Sequence, residues 1–350
     1  MWTITLNTLN NKDILFDSTS NGHNNDEEAG VDPSIVETPT KNAHGNALKE
    51  FCTTLCTDLN ASDQTFLVPK LAERGYSVVV ISIETGHDIT DRTQVLNVVQ
   101  KFPGNKIILV AAVADLNIFE ASPAYGLDVN MGGFINVSLA CSLHHKKLYF
   151  ISTCCVYGNT PDLPSSEDSS ARPAEIYASC KLASECIIDG LNKSYGLEYV
   201  ILRIATTYGP TMRSALAPAV FIDQIRQGRP ITIHGDGTQT RTMTYIDDEV
   251  EGIASAINSA AHNTIVNIST QEELSVLEMA RVIAEEMGCA NHPVAFIADR
   301  ETQTRKEQID ASKAYELCGW KAKWTFREGI RETLRWMGYE SPRQELKSKD

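Results

Sequence analysis

At 350 residues and 42% hydrophobic side chains, the chain is long enough for one large α/β domain with a smaller lobe, or for two domains. Its formal net charge of −14 argues against nucleic acid and anionic membrane surfaces as partners, since neutralising phosphates takes clustered Lys and Arg. Nine cysteines without regular spacing make no disulfide framework and read as reduced thiols of a cytoplasmic protein; Cys52 and Cys56 lack the second ligand pair a metal site needs.

Residues 1–50 form a divergent polar segment, rich in Asn, Asp, Ser, Thr and Gly, in which Asn21–Glu28 reads as a solvated loop. It opens without a basic region and apolar run, so no signal peptide is expected, and no stretch reaches the ~20 apolar residues of a membrane span. From Phe66 a βα rhythm sets in. Leu67–Arg74 reads as a helix closed by Gly75, and Ser77–Ser82 as a buried β-branched strand. A helix over 93–102, a strand over 106–112 and a helix over 124–144 follow. The strand 147–152 delivers Thr153, and a helix over 176–195 and a strand over 199–205 complete the series. Strands alternating with helices imply an α/β, Rossmann-like, doubly wound parallel sheet with ligands at the strands' C-terminal ends. After Gly209 the rhythm loosens. The expected division is a dinucleotide-binding domain over 51–208, mainly a smaller C-terminal substrate-binding lobe over 209–340, and a tail over 341–350.

Tyr177-Ala-Ser-Cys-Lys181 carries the chemistry. A tyrosine and a lysine four residues apart share one helical face, so the ammonium lies below the phenol and favours the phenolate, lowering a pKa of about 10. A phenolate poised near neutrality takes a proton from a sugar or alcohol hydroxyl while a nicotinamide takes the hydride. Thr153, ending the preceding strand, would hold that hydroxyl. A lone Tyr-x-x-x-Lys is weak evidence; behind Ile151-Ser-Thr-Cys-Cys-Val-Tyr-Gly158 it is strong.

With these residues the chain resembles the extended short-chain dehydrogenase/reductases, in the NAD-dependent epimerase/dehydratase branch typified by UDP-glucose 4-epimerase. The resemblance runs from about Leu67 to Trp336, through Asp88-Ile-Thr-Asp91, Asn130-Met-Gly-Gly133, Leu202-Arg-Ile-Ala-Thr-Thr-Tyr-Gly-Pro210, Gly235-Asp-Gly-Thr-Gln-Thr-Arg241, Tyr245-Ile-Asp-Asp248 and Gly319-Trp320. It implies Thr153, Tyr177 and Lys181 as catalytic residues. It further implies Asp88 and Ile89 beside adenine, Ala111 and Ala112 on the nicotinamide side, and Tyr177 and Lys181 at the nicotinamide ribose. Thr206 and Arg241 would meet the substrate's diphosphate, where a guanidinium fork suits phosphate. His234 would pack on the nucleotide base, with a plain strand-end histidine as the equal alternative. Asn130 reads as a cap or turn residue, or a structural group near the cofactor.

The family's Gly-x-x-Gly-x-x-Gly turn lets backbone N–H groups approach the dinucleotide pyrophosphate. Counted back from Leu67, its positions fall on Asp58, Ala61 and Gln64, none of them glycine. Asp13-Ile-Leu-Phe16 is an alternative first strand, but it demands an insertion of about forty residues, against loop-length priors. Three explanations compete: an altered loop that still binds dinucleotide, a lost cofactor, or an N-terminus unlike the ancestral coding sequence. The first is adopted. Ser82 stands where an acidic residue usually marks NAD, so the expected cofactor is NAD with NADP left open.

Cys154 and Cys155 replace the Asp and Glu with which dTDP-glucose 4,6-dehydratases eliminate water, and UDP-glucuronate decarboxylases keep Glu at the second position. Thiols replace these carboxyl groups poorly, so both cysteines read as small wall residues, and dehydratase, decarboxylase or reductase activity ranks below epimerisation. The expected protein is an NAD-dependent nucleotide-sugar 4-epimerase, with a cofactor-deficient sugar-nucleotide-binding protein as the alternative. A homodimer is also expected. Leu182, Cys186, Ile187 and Leu191 on one helix, with Phe134, Val137, Leu139 and Leu143 on another, would form a two-fold interface, with packing of all of them into the monomer's own core as the alternative.

Overall fold

The computed structural model describes residues 50–55, 61–299 and 304–339. The candidate strand Asp13–Phe16, the loop Asn21–Glu28, Cys56, Asp58 and the tail 341–350 lie outside the described residues. Six parallel strands build the main sheet: β1 (Glu50–Leu55), β2 (Tyr76–Ile81), β3 (Lys106–Leu109), β4 (Lys147–Thr153), β5 (Tyr199–Ile204) and, from much later in the chain, β9 (Thr264–Ile268). Their order is β2-β1-β3-β4-β5-β9. The order reverses beside β1, which opens a crevice at the strands' C-terminal ends.

The sheet is covered on both faces, as parallel sheets require. Helices α1 (Ala61–Glu73) and α8 (Ile246–Asn258) pack on one face. Helices α2 (Arg92–Lys101), α3 (Leu116–Ala121), α4 (Pro123–Leu127), α5 (Phe134–Leu143) and α6 (Ile176–Tyr195) form the other layer. Strand alternation sorts the core. Ile108, Tyr149, Val200 and Leu202 join Leu67, Leu71 and Val250, whereas Ile107, Leu148, Phe150 and Ile201 join Val99, Val137 and Ile188.

The remaining elements flank the crevice. Strands β6 (Thr206–Tyr208), β8 (Thr240–Tyr245) and β10 (Glu273–Ser275) make a three-stranded sheet, and β7 (Ile231–His234) pairs with β11 (Val294–Ile297). Helices α7 (Ala217–Arg226), α9 (Val276–Glu286), α10 (Ser312–Cys318) and α11 (Phe326–Trp336) complete the chain's described elements. Among them, no helix is long and apolar enough to cross a membrane.

Most predicted elements appear within a residue or two, and α6 has the expected ends. Three differences matter. The rhythm begins before Phe66: β1 precedes α1, and α1 starts at Ala61, so the glycine-motif positions Ala61 and Gln64 lie inside a helix. The predicted helix 124–144 is α4 and α5 joined by a π-helical segment, Asp128–Gly133. Strand β3 stops at Leu109 instead of 112, because Val113 turns its backbone to the Asn130 side chain rather than to a strand.

Candidate active site

Strand β4 ends at Thr153, which caps the following 3₁₀ turn: its Oγ1 accepts the Cys155 N–H at 3.1 Å. That turn closes at Gly158 with φ 55°, where a Cβ would lie 2.0 Å from the Arg172 carbonyl, so only glycine fits. The chain then returns at α6, whose first turns carry Tyr177 and Lys181. Lys181 is buried at 4% exposure, and its Nζ donates to the Ile151 carbonyl at 2.7 Å. The ammonium lies 5.9 Å from the Tyr177 ring centre and 4.6 Å from that of Phe150. Thr153, Tyr177 and Lys181 line a single cleft of about 180 Å³.

Ala112 and Thr206 line the same cleft, from opposite sides. Ala111 does not. It points into the core below α5, because alternation along the segment after β3 turns Val110, Ala112 and Ala114 to the cleft. Ile89 is buried against Gly133, where a Cβ would come within 2.3 Å of it. Asp88 is exposed outside the cleft, its Oδ1 accepting the Thr90 N–H and hydroxyl, both at 2.8 Å. Ser82 Oγ accepts the Thr85 N–H at 3.3 Å.

His234 and Arg241 also stand apart from the cleft. The His234 Nδ1 lies 2.8 Å from the Ala298 carbonyl, and Arg241 Nη1 donates to the carbonyls of Thr240 and Thr304 at 2.7 and 2.8 Å. Asn130 is no helix cap. It is buried, and its amide brackets Val113, accepting the N–H at 2.7 Å and donating to the carbonyl at 2.9 Å.

The two cysteines are poor acids. Cys154 is buried with its Sγ on the Arg203 carbonyl at 3.3 Å, and burial pushes its thiol well up. Cys155 is exposed on the cleft wall, where the protein atoms crowding it and then the Glu307 charge push its thiol up, against a smaller lowering by Thr153. Both stay protonated near neutrality.

Sequence reasoning missed four groups. Glu249, buried in the cleft wall, accepts from the Thr207 hydroxyl. Arg213 Nη1 donates to the Ala114 carbonyl at 2.9 Å, bridging two sides of the cleft. Glu307 Oε1 accepts from the Thr242 hydroxyl at 2.9 Å; burial raises its pKa, partly offset by Arg241. Arg203 pairs with Glu185 below the catalytic residues. Only this last pair left a legible signal, since Tyr177, Lys181 and Glu185 repeat at four-residue steps.

The nicotinamide end of a dinucleotide is compatible with this cleft, where the small side chains of Ala112, Ala114 and Ala205 leave room beside Lys181. At the ribose end, Ser82 offers no carboxylate and its hydroxyl caps a turn.

The profile of the NAD dependent epimerase/dehydratase family matches residues 65–269. A putative UDP-glucose 4-epimerase of Methanocaldococcus jannaschii is 30% identical over 289 residues, covering 77% of this chain and 93% of that relative. The dTDP-D-glucose 4,6-dehydratase of Bos taurus is 31% identical over 211 residues, 59% of each chain. The solved UDP-glucose 4-epimerase of Thermotoga maritima, with UDP-glucose, is similar at a TM-score of 0.75 and 25% identity, covering 83% of this chain and 99% of that one.

Proposed function

Because this chain belongs to the NAD dependent epimerase/dehydratase family, we propose that it is a nucleotide-sugar 4-epimerase working through a transient 4-keto sugar. One observation carries this reading. Thr153, Tyr177 and Lys181 share a cleft whose wall carries the protonated thiol of Cys155, with that of Cys154 buried behind it, where carboxyl groups would be needed for elimination. The UDP-sugar epimerases among the similar proteins favour a UDP-sugar as substrate.

A bound NAD+ would supply the reversible hydride acceptance that oxidation and reduction at C4 of the sugar require. Tyr177 removes the C4 hydroxyl proton at its phenolate oxygen and gives it back after the ketone has turned over. Lys181 favours that phenolate and would hold the nicotinamide ribose, and Thr153 orients the hydroxyl. Val110, Ala112 and Ala114 would wall the nicotinamide, with Ala111 supporting them from the core, and Asp88 and Ile89 would shape the adenine end. Thr206 donates to the substrate diphosphate. Arg241 joins it by exchanging its carbonyl partners for phosphate, and His234 packs on the base.

The test is to supply UDP-glucose and UDP-glucuronate with NAD+ and follow C4-epimeric products by NMR. No conversion of any nucleotide sugar by protein shown to hold the cofactor overturns the reading. Tyr177→Phe should abolish turnover with the fold intact.

A second reading is a sugar-nucleotide-binding protein without cofactor. It is favoured by the turn-capping role of Ser82 and by Ala61 and Gln64 lying within α1. Denatured protein that releases no nicotinamide dinucleotide, together with no binding of NAD+ or NADP+ by titration, would make it the leading one.

A further inference from the structure

Glu185 continues the catalytic stripe of α6, four residues after Lys181 and eight after Tyr177. A carboxylate in that place is the natural partner of a lysine one turn earlier. Left uncompensated, it would offset the ammonium on which the Tyr177 phenolate depends. Its surroundings prevent this. Glu185 and Arg203 are both 4% exposed. The guanidinium grips the carboxylate through Nε at 3.2 Å to each oxygen and through Nη2 at 2.7 Å. Ser152 donates a further hydrogen bond to the same carboxylate. Meanwhile Lys181 Nζ bonds the Ile151 carbonyl, one residue before Ser152 on β4.

The guanidinium is itself held from the far side. Its Nη1 donates to the Tyr157 hydroxyl at 2.9 Å and to the Glu167 carbonyl at 3.2 Å. Tyr157 donates on to Asn267 at 2.7 Å, and the Asn267 N–H binds the Glu167 carboxylate at 2.7 Å. Burial alone would pull the Arg203 pKa down, but the bonds and charge of Glu185 outweigh it and raise it. The titratable groups facing the pair are thus Cys154, Tyr157 and Glu167 from the segment after β4, and Lys181 on α6. Of these, Tyr157 and Cys154 are pushed up by burial, and so is Glu167.

We propose that Arg203 is a positioning residue for the active site: by binding Glu185 with its guanidinium fork, it cancels the carboxylate one turn beyond Lys181 on the Tyr177–Lys181 stripe, leaving the Lys181 charge to act on Tyr177. The inference rests on Tyr177 being the base, yet it concerns the phenol's own titration and is tested without substrate. Eight helical residues span about 12 Å, and at an effective dielectric of about 20 an uncompensated unit charge at that distance moves a titration by about one pH unit.

The experiment is an ultraviolet titration of phenolate formation in the full chain, with the Tyr177→Phe spectrum subtracted from each parent to isolate Tyr177. Arg203→Gln should move the Tyr177 midpoint up by about one pH unit, and Glu185→Gln should move it down. The double variant Arg203→Gln/Glu185→Gln should restore the wild-type midpoint within a few tenths of a unit. If Arg203→Gln, with its unpaired buried carboxylate, does not fold by circular dichroism, Glu185→Gln and the double variant still decide. Coincident midpoints in wild type and Glu185→Gln would overturn the proposal and leave the pair a purely structural role. Normal shifts with no sugar turnover would sink the epimerase reading while sparing this one.

Discussion

Asn130 and Val113 are joined through both atoms of the asparagine amide, which pairs the N–H and the carbonyl of a residue that has left the sheet. Val113 lies between Ala112 and Ala114, both of which line the cleft, so the bracket fixes the cleft's β3 side. Asn130→Ala strands two backbone groups in a buried place. The expected cost is about 2–4 kcal/mol, read as a lower urea midpoint at unchanged slope. Dinucleotide affinity should fall with it in native conditions. A midpoint within error of wild type would show the bracket to be replaceable.

Cys155 should react slowly despite facing the cleft. Although the Cys155 thiol is exposed, the protein atoms crowding it and then the Glu307 charge push its pKa up, so the thiolate is a minor species at pH 7. The rate of iodoacetamide labelling at this residue, followed by mass spectrometry, should therefore climb about tenfold per pH unit from pH 7 to 9. Glu307→Gln removes a charge that raises the thiol, so labelling at pH 8 should quicken in that variant.

Glu286 ties α9 to α11. Arg331 reaches its carboxylate through Nε at 3.0 Å, and Arg327 through Nη1 at 2.7 Å. Burial acts to raise the Glu286 pKa, but the bonds from Arg331 and Arg327 outweigh it and hold it below the ordinary 4.5. A depressed folded-state value stabilises the protein above the unfolded value, and that contribution is lost as pH falls through the folded one. Glu286→Gln should cost about 1–3 kcal/mol at pH 7, discounted because both arginines are partly exposed. Between pH 5 and 3 the wild type should lose more of its melting temperature than the variant. Parallel losses would remove Glu286 from the acid response.

The dimer expectation survives only in part on the residues chosen for it. Phe134, Val137 and Leu191 are buried in the chain's own core, where strands β3–β5 already cover them. Ile187 and Leu139 are half-buried against that core, while Leu143 is 64% exposed and Cys186 is exposed. A two-fold contact would use this outer strip. Light scattering at micromolar concentration should give about twice 38.5 kDa, and Leu143→Glu should return the mass to that of one chain. A wild-type mass of one chain ends the idea.

The catalytic stripe and the strand that delivers Thr153 were legible because their signals are local. The 3.6-residue helix period sets Tyr177 above Lys181, and the apolar run Leu148–Ile151 leads through Ser152 to Thr153 whatever surrounds it. The two-sided burial of the sheet follows equally from β-branched runs alternating with helices. The resemblance names the segment Ala111–Ala112 beside the nicotinamide, but which of its alternating side chains meets the cleft is set by the fold: Val110 and Ala112 line it and Ala111 faces the core. Strand β1 escaped notice because Glu50-Phe-Cys-Thr-Thr-Leu55 is short and half polar, and its place between β2 and β3 comes from pairing on both edges. Partners far apart in the chain were beyond any periodic signal. Arg203 meets Glu185, Asn130 meets Val113 and Glu307 meets Thr242 because buried polar groups must find complementary ones, and only the packed arrangement of layers decides which lie within reach.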